Sequence, residues 1–341
     1  MQCAHLQAYA RSLSFRGGLK RMSTQARNAS AKPTVPETYV LPETWESKSV
    51  GGPMGAINRA TAGSRFERPL PRGAHALQLH SLATPNGQKV TIMLEELNEA
   101  KGVEYDAFQV NILPGPEGQQ PAQFGSGFVE VNPNSKVPAL IDTGAVSDTK
   151  KRRVGESAAP AASASSDVRV FESGHILLYL AEKYSFGIPP AEDVAARAET
   201  LNWLFWLHGA APYLGGGFGH FYKYAPTHYE YAVDRFTMEA KRILDVLDHQ
   251  LEATGSYVAG SEYTIADMAI YPWIECVRMP TGYNAAKFIS FDADYKHIVK
   301  WMDRIEARPA VKRGMRVNHW TTTDKWGEPV PERHSSADFH T

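Results

Sequence analysis

Leu77-Gln-Leu-His-Ser-Leu-Ala-Thr-Pro-Asn-Gly-Gln-Lys-Val-Thr-Ile-Met-Leu-Glu-Glu-Leu97 is the stretch on which the fold turns. Leu77 to Leu82 alternates as a strand does, and Thr84-Pro-Asn-Gly87 then supplies turn and helix-start residues. Val90, Met93, Leu94 and Leu97 recur at helical spacing on one face, and Lys101-Gly102 closes the helix. Glu104 to Val110 reads as a second strand. Strand, helix, strand in that order is solved by parallel pairing through a crossover helix.

Working outward, residues 111 to 123 form a Gly-, Pro- and Gln-rich loop, followed by a short element around Phe124 to Val131 and a turn at Asn132-Pro-Asn-Ser-Lys-Val-Pro138. Ala139 to Asp142 and Val168 to Phe171 pattern as a hairpin split by an insert, 143–167. Its Ala/Ser run and basic cluster Lys150-Lys-Arg-Arg153 predict a disordered surface loop. Ser173 opens a helix that buries Ile176, Leu177, Leu180 and Tyr184, and Gly187-Ile-Pro-Pro190 marks a domain boundary. Beyond it the periodicity predicts helices over 195–213, 228–253, from Thr264 onward and over about 295–307. Thr264-Ile-Ala-Asp267 has the form of a capping box. Gly215-Gly-Gly-Phe-Gly219 follows no strand, so it is not a dinucleotide fingerprint and reads as a flexible helix break.

The chain has 341 residues, 43% of them apolar, 21% charged, with a net charge of −1, which is the profile of an ordinary globular protein and not of a polyanion binder. Nucleic acid is not expected as a partner, and no run approaches the ~18 apolar residues of a membrane span. Residues 1–36 are basic, Ser-bearing and free of Asp and Glu, which admits two readings: an organellar transit peptide, mitochondrial or other, or a basic tail on a cytoplasmic protein. The expected organisation is a disordered extension over 1–50, an arm over 51–74, an α/β domain over 75–190, an all-helical domain over 191–316 and a tail over 317–341.

The two cysteines, Cys3 and Cys276, form neither a C-x-x-C pair nor a zinc cluster, and Cys276 ends an apolar helical stretch where a buried, inert thiol is expected. No H-E-x-x-H and no G-x-S-x-G occurs, so no metal is expected. Three local features converge on one ligand instead. Thr84-Pro-Asn86 lies where a strand hands over to a helix N-terminus, a place suited to a thiolate, although a plain cap is the alternative. Lys136-Val137-Pro138 can carry a cis proline that turns the Val137 backbone outward toward an extended peptide. Glu172-Ser173 offers a carboxylate to an ammonium group, and a hydroxyl with helix amides to a carboxylate. A γ-glutamyl tripeptide with a central cysteine satisfies all three.

Thr84 to Leu97, Phe128 to Leu140, Val170 to Leu180, Asn202-Trp-Leu-Phe-Trp206, Gly215-Gly-Gly-Phe-Gly-His220 and Tyr263-Thr-Ile-Ala-Asp-Met-Ala269 resemble the nu class of glutathione transferases, a match running from about Gly52 to about Arg316. The resemblance implies a thioredoxin-like domain followed by an all-α domain, a homodimer, and glutathione as cosubstrate. It assigns Glu172 and Ser173 to the γ-glutamyl end, Val137 beside Pro138 to the cysteinyl backbone, and Thr84 and Asn86 to the sulfur. Asn58, Gln123 and Arg235 match further glutathione-binding positions of the family. Where close relatives carry Gln in Trp-Leu-Gln-Gly, this chain has His208. The class is associated with reduction of disulfides by glutathione, which needs no protein cysteine. A conjugating transferase with an apolar pocket near Tyr222 and Tyr224, or a regulator without catalysis, are the alternative expectations.

Overall fold

The computed structural model describes residues 40–47, 51–52, 54–55, 57, 59–115, 118–144, 167–320 and 333. The basic segment 1–36 and residues 145–166 of the insert lie outside the described residues. The chain divides into two units, Met1–Glu46 and Ser47–Thr341. Residues 40–46 of the first are exposed and carry no helix or strand.

The sheet of the second unit has four strands in the order β2-β1-β3-β4: β1 (Leu77–Ser81), β2 (Tyr105–Gln109), β3 (Ala139–Asp142) and β4 (Val168–Phe171). β1 and β2 pair in parallel across α1 (Pro85–Lys101), while β3 pairs antiparallel with both β1 and β4. The hairpin and the crossover therefore form as the spacing predicts. Leu77 and Leu79 face the main core, and Val110, Ala139 and Ile141 pack on the other side with Phe128 and Val131 of α2 (Ser126–Val131). Alternation along each strand makes these two layers.

One feature of α1 departs from expectation. The apolar spacing predicts one buried face, yet every residue from Gly87 to Leu97 is buried. The reason is tertiary: α1 packs against α3 (Ser173–Tyr184), α6 (Ile265–Arg278) and α9 (Pro309–Gly314). Its buried carboxylates and amide are consequently satisfied inside the protein. Glu96 takes a two-pronged contact from Arg308, and Glu95 accepts from Tyr105, Arg313 and Arg333. Gln88 donates to the Met315 carbonyl. Packed structure continues beyond residue 316, since Val317 and Asn318 are buried and Asn318 Nδ2 donates to Ser81 Oγ at 2.9 Å.

The rest is helical: α4 (Val194–Pro212), α5 (Glu230–Thr254), α6, α7 (Phe291–Asp294) and α8 (Lys296–Glu306). At the start of α6, Thr264 and Asp267 form the expected capping box, and buried Asp267 also accepts from Val258 N and Trp301 Nε1. The glycine run after α4 corrects the expectation of a flexible break: the chain continues as π-helical turns over Tyr213–Tyr224. These glycines are there for close approach. A Cβ on Gly215 would fall 2.6 Å from the Trp273 ring, and one on Gly219 would fall 2.2 Å from the Tyr283 ring. Low helix propensity is offset by letting two aromatic residues reach the cleft described next.

Candidate active site

Two adjoining cavities share Asn86, Lys136 and Val137 and make one elongated cleft between the sheet and the helices. The larger, about 360 Å³, is walled by Thr84, Asn86 and Gln123 on one side and by Gly215, His220, Tyr224, Trp273 and Tyr283 on the other. The smaller, about 130 Å³, is bounded by Val137, Pro138, Glu172 and Ser173. Seven of the residues expected at the site thus line one cleft. Asn58 lies outside the described residues, although its neighbours Met54 and Ile57 line the larger cavity. Arg235 lines neither cavity; it is half exposed on α5, with its guanidinium 3.6 Å from Glu239.

At the sulfur end, Thr84 is the N-cap of α1, and its hydroxyl accepts from the Gly87 amide at 3.3 Å. The cap reading therefore holds for Thr84. Asn86 differs. Trp273 Nε1 donates to Asn86 Oδ1 at 2.9 Å, and an indole can only donate, so the oxygen is fixed toward Trp273 and the Asn86 NH₂ keeps its protons for other partners.

The middle of the cleft is shaped by the Asn132-Pro-Asn-Ser-Lys turn. Buried Asn132 accepts from Asn134 N at 3.0 Å and donates to the Lys136 carbonyl at 2.6 Å, and Ser135 takes a left-handed φ of 53°. The Val137–Pro138 peptide bond is cis. Val137 itself makes no hydrogen bond among the described residues, which leaves its backbone free to pair with an extended ligand. Gln123 donates to the Ile112 carbonyl, but its Oε1 is buried without a partner among the described residues.

At the far end, Glu172 sits at φ 69°, sparsely populated for a residue with a side chain, and its carboxylate has no partner among the described residues. Ser173 begins α3. Behind it lies Lys89 Nζ, 3.3 Å from Ser173 Oγ, and His208 Nε2, 3.5 Å away. Burial pulls Lys89 down to about 7 against the opposing pull of Glu172. Burial, then the charge of Lys89, holds His208 down to about 4, so its ring is neutral.

Among the described residues no group of three or more His, Cys, Asp or Glu can hold a metal, and no helix is long and apolar enough to cross a membrane. Cys276 lines neither cavity, and burial pushes its thiol up to about 12.

Residues 219–309 match the glutathione S-transferase C-terminal domain. The disulfide-bond oxidoreductase YghU of Escherichia coli is 53% identical over 300 residues, which cover 87% of this chain and 93% of that protein. The chain belongs to the glutathione transferase family. A crystal structure of glutathione transferase YghU from Streptococcus pneumoniae, complexed with glutathione, superposes with a TM-score of 0.71 at 48% identity, covering 82% of this chain and 98% of that one. A glutathione transferase from Pseudomonas putida with one glutathione disulfide bound per subunit matches at 34% identity and a TM-score of 0.58, covering 71% and 92%.

The thioredoxin-like plus all-helical architecture expected from the motifs is the glutathione transferase fold. Sequence reasoning missed two residues of the cleft and one behind it. Trp273 and Tyr283 stand far along the chain and give no local signal. Lys89 did give one: it precedes Met93 by four residues and Leu97 by eight, so a charge falls on the apolar stripe of α1.

Proposed function

We propose that the protein is a glutathione-dependent disulfide-bond reductase whose nucleophile is the sulfur of bound glutathione. The observation that carries this reading is the sulfur end of the cleft: a donor side chain, Asn86, locked by Trp273 at a helix N-terminus, with no thiol on the walls among the described residues. The remaining walls suit the tripeptide. Glu172 meets the γ-glutamyl ammonium, Ser173 the α-carboxylate, the Val137 backbone the cysteinyl unit, and Gln123 Oε1 accepts from a ligand N–H. The similarity to the oxidoreductase of Escherichia coli points the same way.

In the first step the glutathione thiolate attacks one sulfur of the substrate disulfide, a new S–S bond forms, and the other sulfur leaves as a thiolate that takes a proton from solvent. A second glutathione thiolate then attacks the mixed disulfide. The products are oxidised glutathione and two thiols, so two electrons pass from two glutathiones to one disulfide. Asn86 and the positive end of the α1 dipole lower the thiol pKa by favouring the anion. The active assembly is a homodimer, and residues 1–36 direct the chain to an organelle.

Initial rates with a small-molecule disulfide and with an aryl halide, both at saturating glutathione, test the assignment. Faster disulfide reduction is expected. Turnover of the aryl halide alone would replace this reading with a conjugating transferase that uses the aromatic wall of Tyr224, Trp273 and Tyr283, and no turnover of either would favour a binding role.

A further inference from the structure

Lys89 has none of its surface exposed, and among the described residues its ammonium has a single hydrogen-bond partner, Ser173 Oγ. The other buried charges of α1 meet opposite charges: Glu95 meets Arg313 and Arg333, and Glu96 meets Arg308. Lys89 has no ion pair among the described residues. A buried ammonium in that position is disfavoured unless a counter-charge approaches. The partner it does have, Ser173, is a wall of the smaller cavity.

His208 completes the arrangement. Its Nδ1 lies 2.7 Å from the Leu204 carbonyl, which only accepts, so Nδ1 carries the ring proton and Nε2 turns a lone pair toward Ser173 Oγ. The ring fits because residue 174 is glycine: a Cβ there would fall 2.3 Å from His208 Cε1. Ser173 Oγ therefore accepts from the Lys89 ammonium, and its one proton is left to donate to His208 Nε2, 3.5 Å away, or to a carboxylate in the cavity. In front of the hydroxyl, at the same end of the cleft, stands the unpaired carboxylate of Glu172. One negative group faces the cavity and one positive group lies a hydroxyl behind it, the charge pattern that complements an α-amino acid zwitterion.

We propose that Lys89 is a positioning residue for the γ-glutamyl end of glutathione, acting through Ser173 as the buried counter-charge of the ligand's α-carboxylate. The inference rests on the glutathione reading above. Glu172 already acts on Lys89 through space without an ion pair; a carboxylate seated at Ser173 brings a second opposite charge one hydroxyl away, and in a water-poor setting that attraction is strong. The alternative is that Lys89 is a structural strut.

The test measures binding of S-methylglutathione, which has no free thiol, and of its γ-glutamyl α-carboxamide analogue to wild type and Lys89→Met. Melting of both empty proteins and kcat at saturating glutathione are recorded alongside. Lys89→Met is expected to weaken S-methylglutathione by about ten- to a hundredfold, the range of one charge-assisted contact. It is expected to weaken the carboxamide far less, to leave kcat near wild type, and to melt no lower when empty. Equal losses for the two ligands, unchanged affinity, or an empty variant less stable than wild type or unfolded would overturn the proposal. Wild type that fails to bind S-methylglutathione overturns the glutathione reading itself, and this inference with it.

Discussion

Trp273 Nε1 donates to Asn86 Oδ1 at 2.9 Å, joining α6 of the second domain to the first turn of α1. The contact decides which end of the Asn86 amide serves the cleft. Removing the indole N–H in Trp273→Phe keeps an aromatic wall but frees Asn86 to flip. A neutral hydrogen bond contributes about 0.5–1.5 kcal/mol, so the thiol pKa of bound glutathione should rise by up to about one unit. Ultraviolet titration of the bound thiolate reads this directly; a wild-type titration curve would remove Trp273 from the mechanism.

Glu172→Ala should raise the KM for glutathione and leave kcat nearly unchanged. The carboxylate meets the ligand's ammonium equally before and during the reaction, which makes it a uniform binding term. The loss of one charge-assisted contact is worth about 1.5–3 kcal/mol. Little is recovered, because Glu172 is exposed and alanine still occupies the strained φ of 69°. A large fall in kcat with KM intact would refute the role.

What was legible in the sequence was local. The strand at Leu77, the turn at Thr84 and the helix from Pro85 follow from a period that changes from 2 to 3.6 within twenty residues, and the capping box at Thr264 is a four-residue pattern. The glycine run at 215–219 was misread because propensity describes an isolated helix, whereas Trp273 and Tyr283 fill the space that side chains there would occupy. The meeting of Lys89 and His208 at Ser173 joins three helices and leaves no local signal. Arg235, taken from the family motif, ends beside Glu239 and outside the cleft lining, a placement that no spacing rule could supply.

A protein with Cys276→Ser and Cys3→Ser should retain disulfide reduction, while Asn86→Ala should lose most of it. Burial holds the Cys276 thiol at about 12, so almost none is thiolate near neutral pH, and it lines neither cavity. A preorganised donor such as Asn86 can be worth about 2.7–4 kcal/mol on transition-state charge, with less expected here because the thiolate loses charge as it attacks. Reductase rate against pH for the three proteins is the measurement. An inactive Cys-free protein contradicts the borrowed-sulfur mechanism.

Stability without ligand should rise with pH from about 7 toward 10, and the rise should trace to Lys89. In the folded chain Lys89 titrates at about 7, pulled down first by burial and partly restored by Glu172, against 10.5 when unfolded. Between those values the unfolded chain holds a proton that the folded chain has given up, so raising the pH favours the folded state. The slope is bounded by one proton, about 1.4 kcal/mol per pH unit. His208, at about 4, and His80, at about 3, act with the same sign but in the acid range up to 6.5. Buried phenols act against it only near pH 10 and above, because burial raises Tyr105 and Tyr263 and keeps them protonated in the fold. In the window from about pH 7 to 9.5, Lys136, lowered from 10.5 by burial and then by Arg65, adds to the rise, and Cys276, raised by burial, opposes it around and above 9.0, so the difference between wild type and Lys89→Met isolates Lys89. Urea unfolding of empty wild type and Lys89→Met across that window should find the variant more stable at pH 7 by about 1–4 kcal/mol, the usual gain from replacing a buried charge by an apolar side chain. The difference should shrink as pH rises, since wild type then sheds the same charge. Parallel pH dependences in the two proteins would mean that Lys89 is not the lone buried ammonium of the empty site.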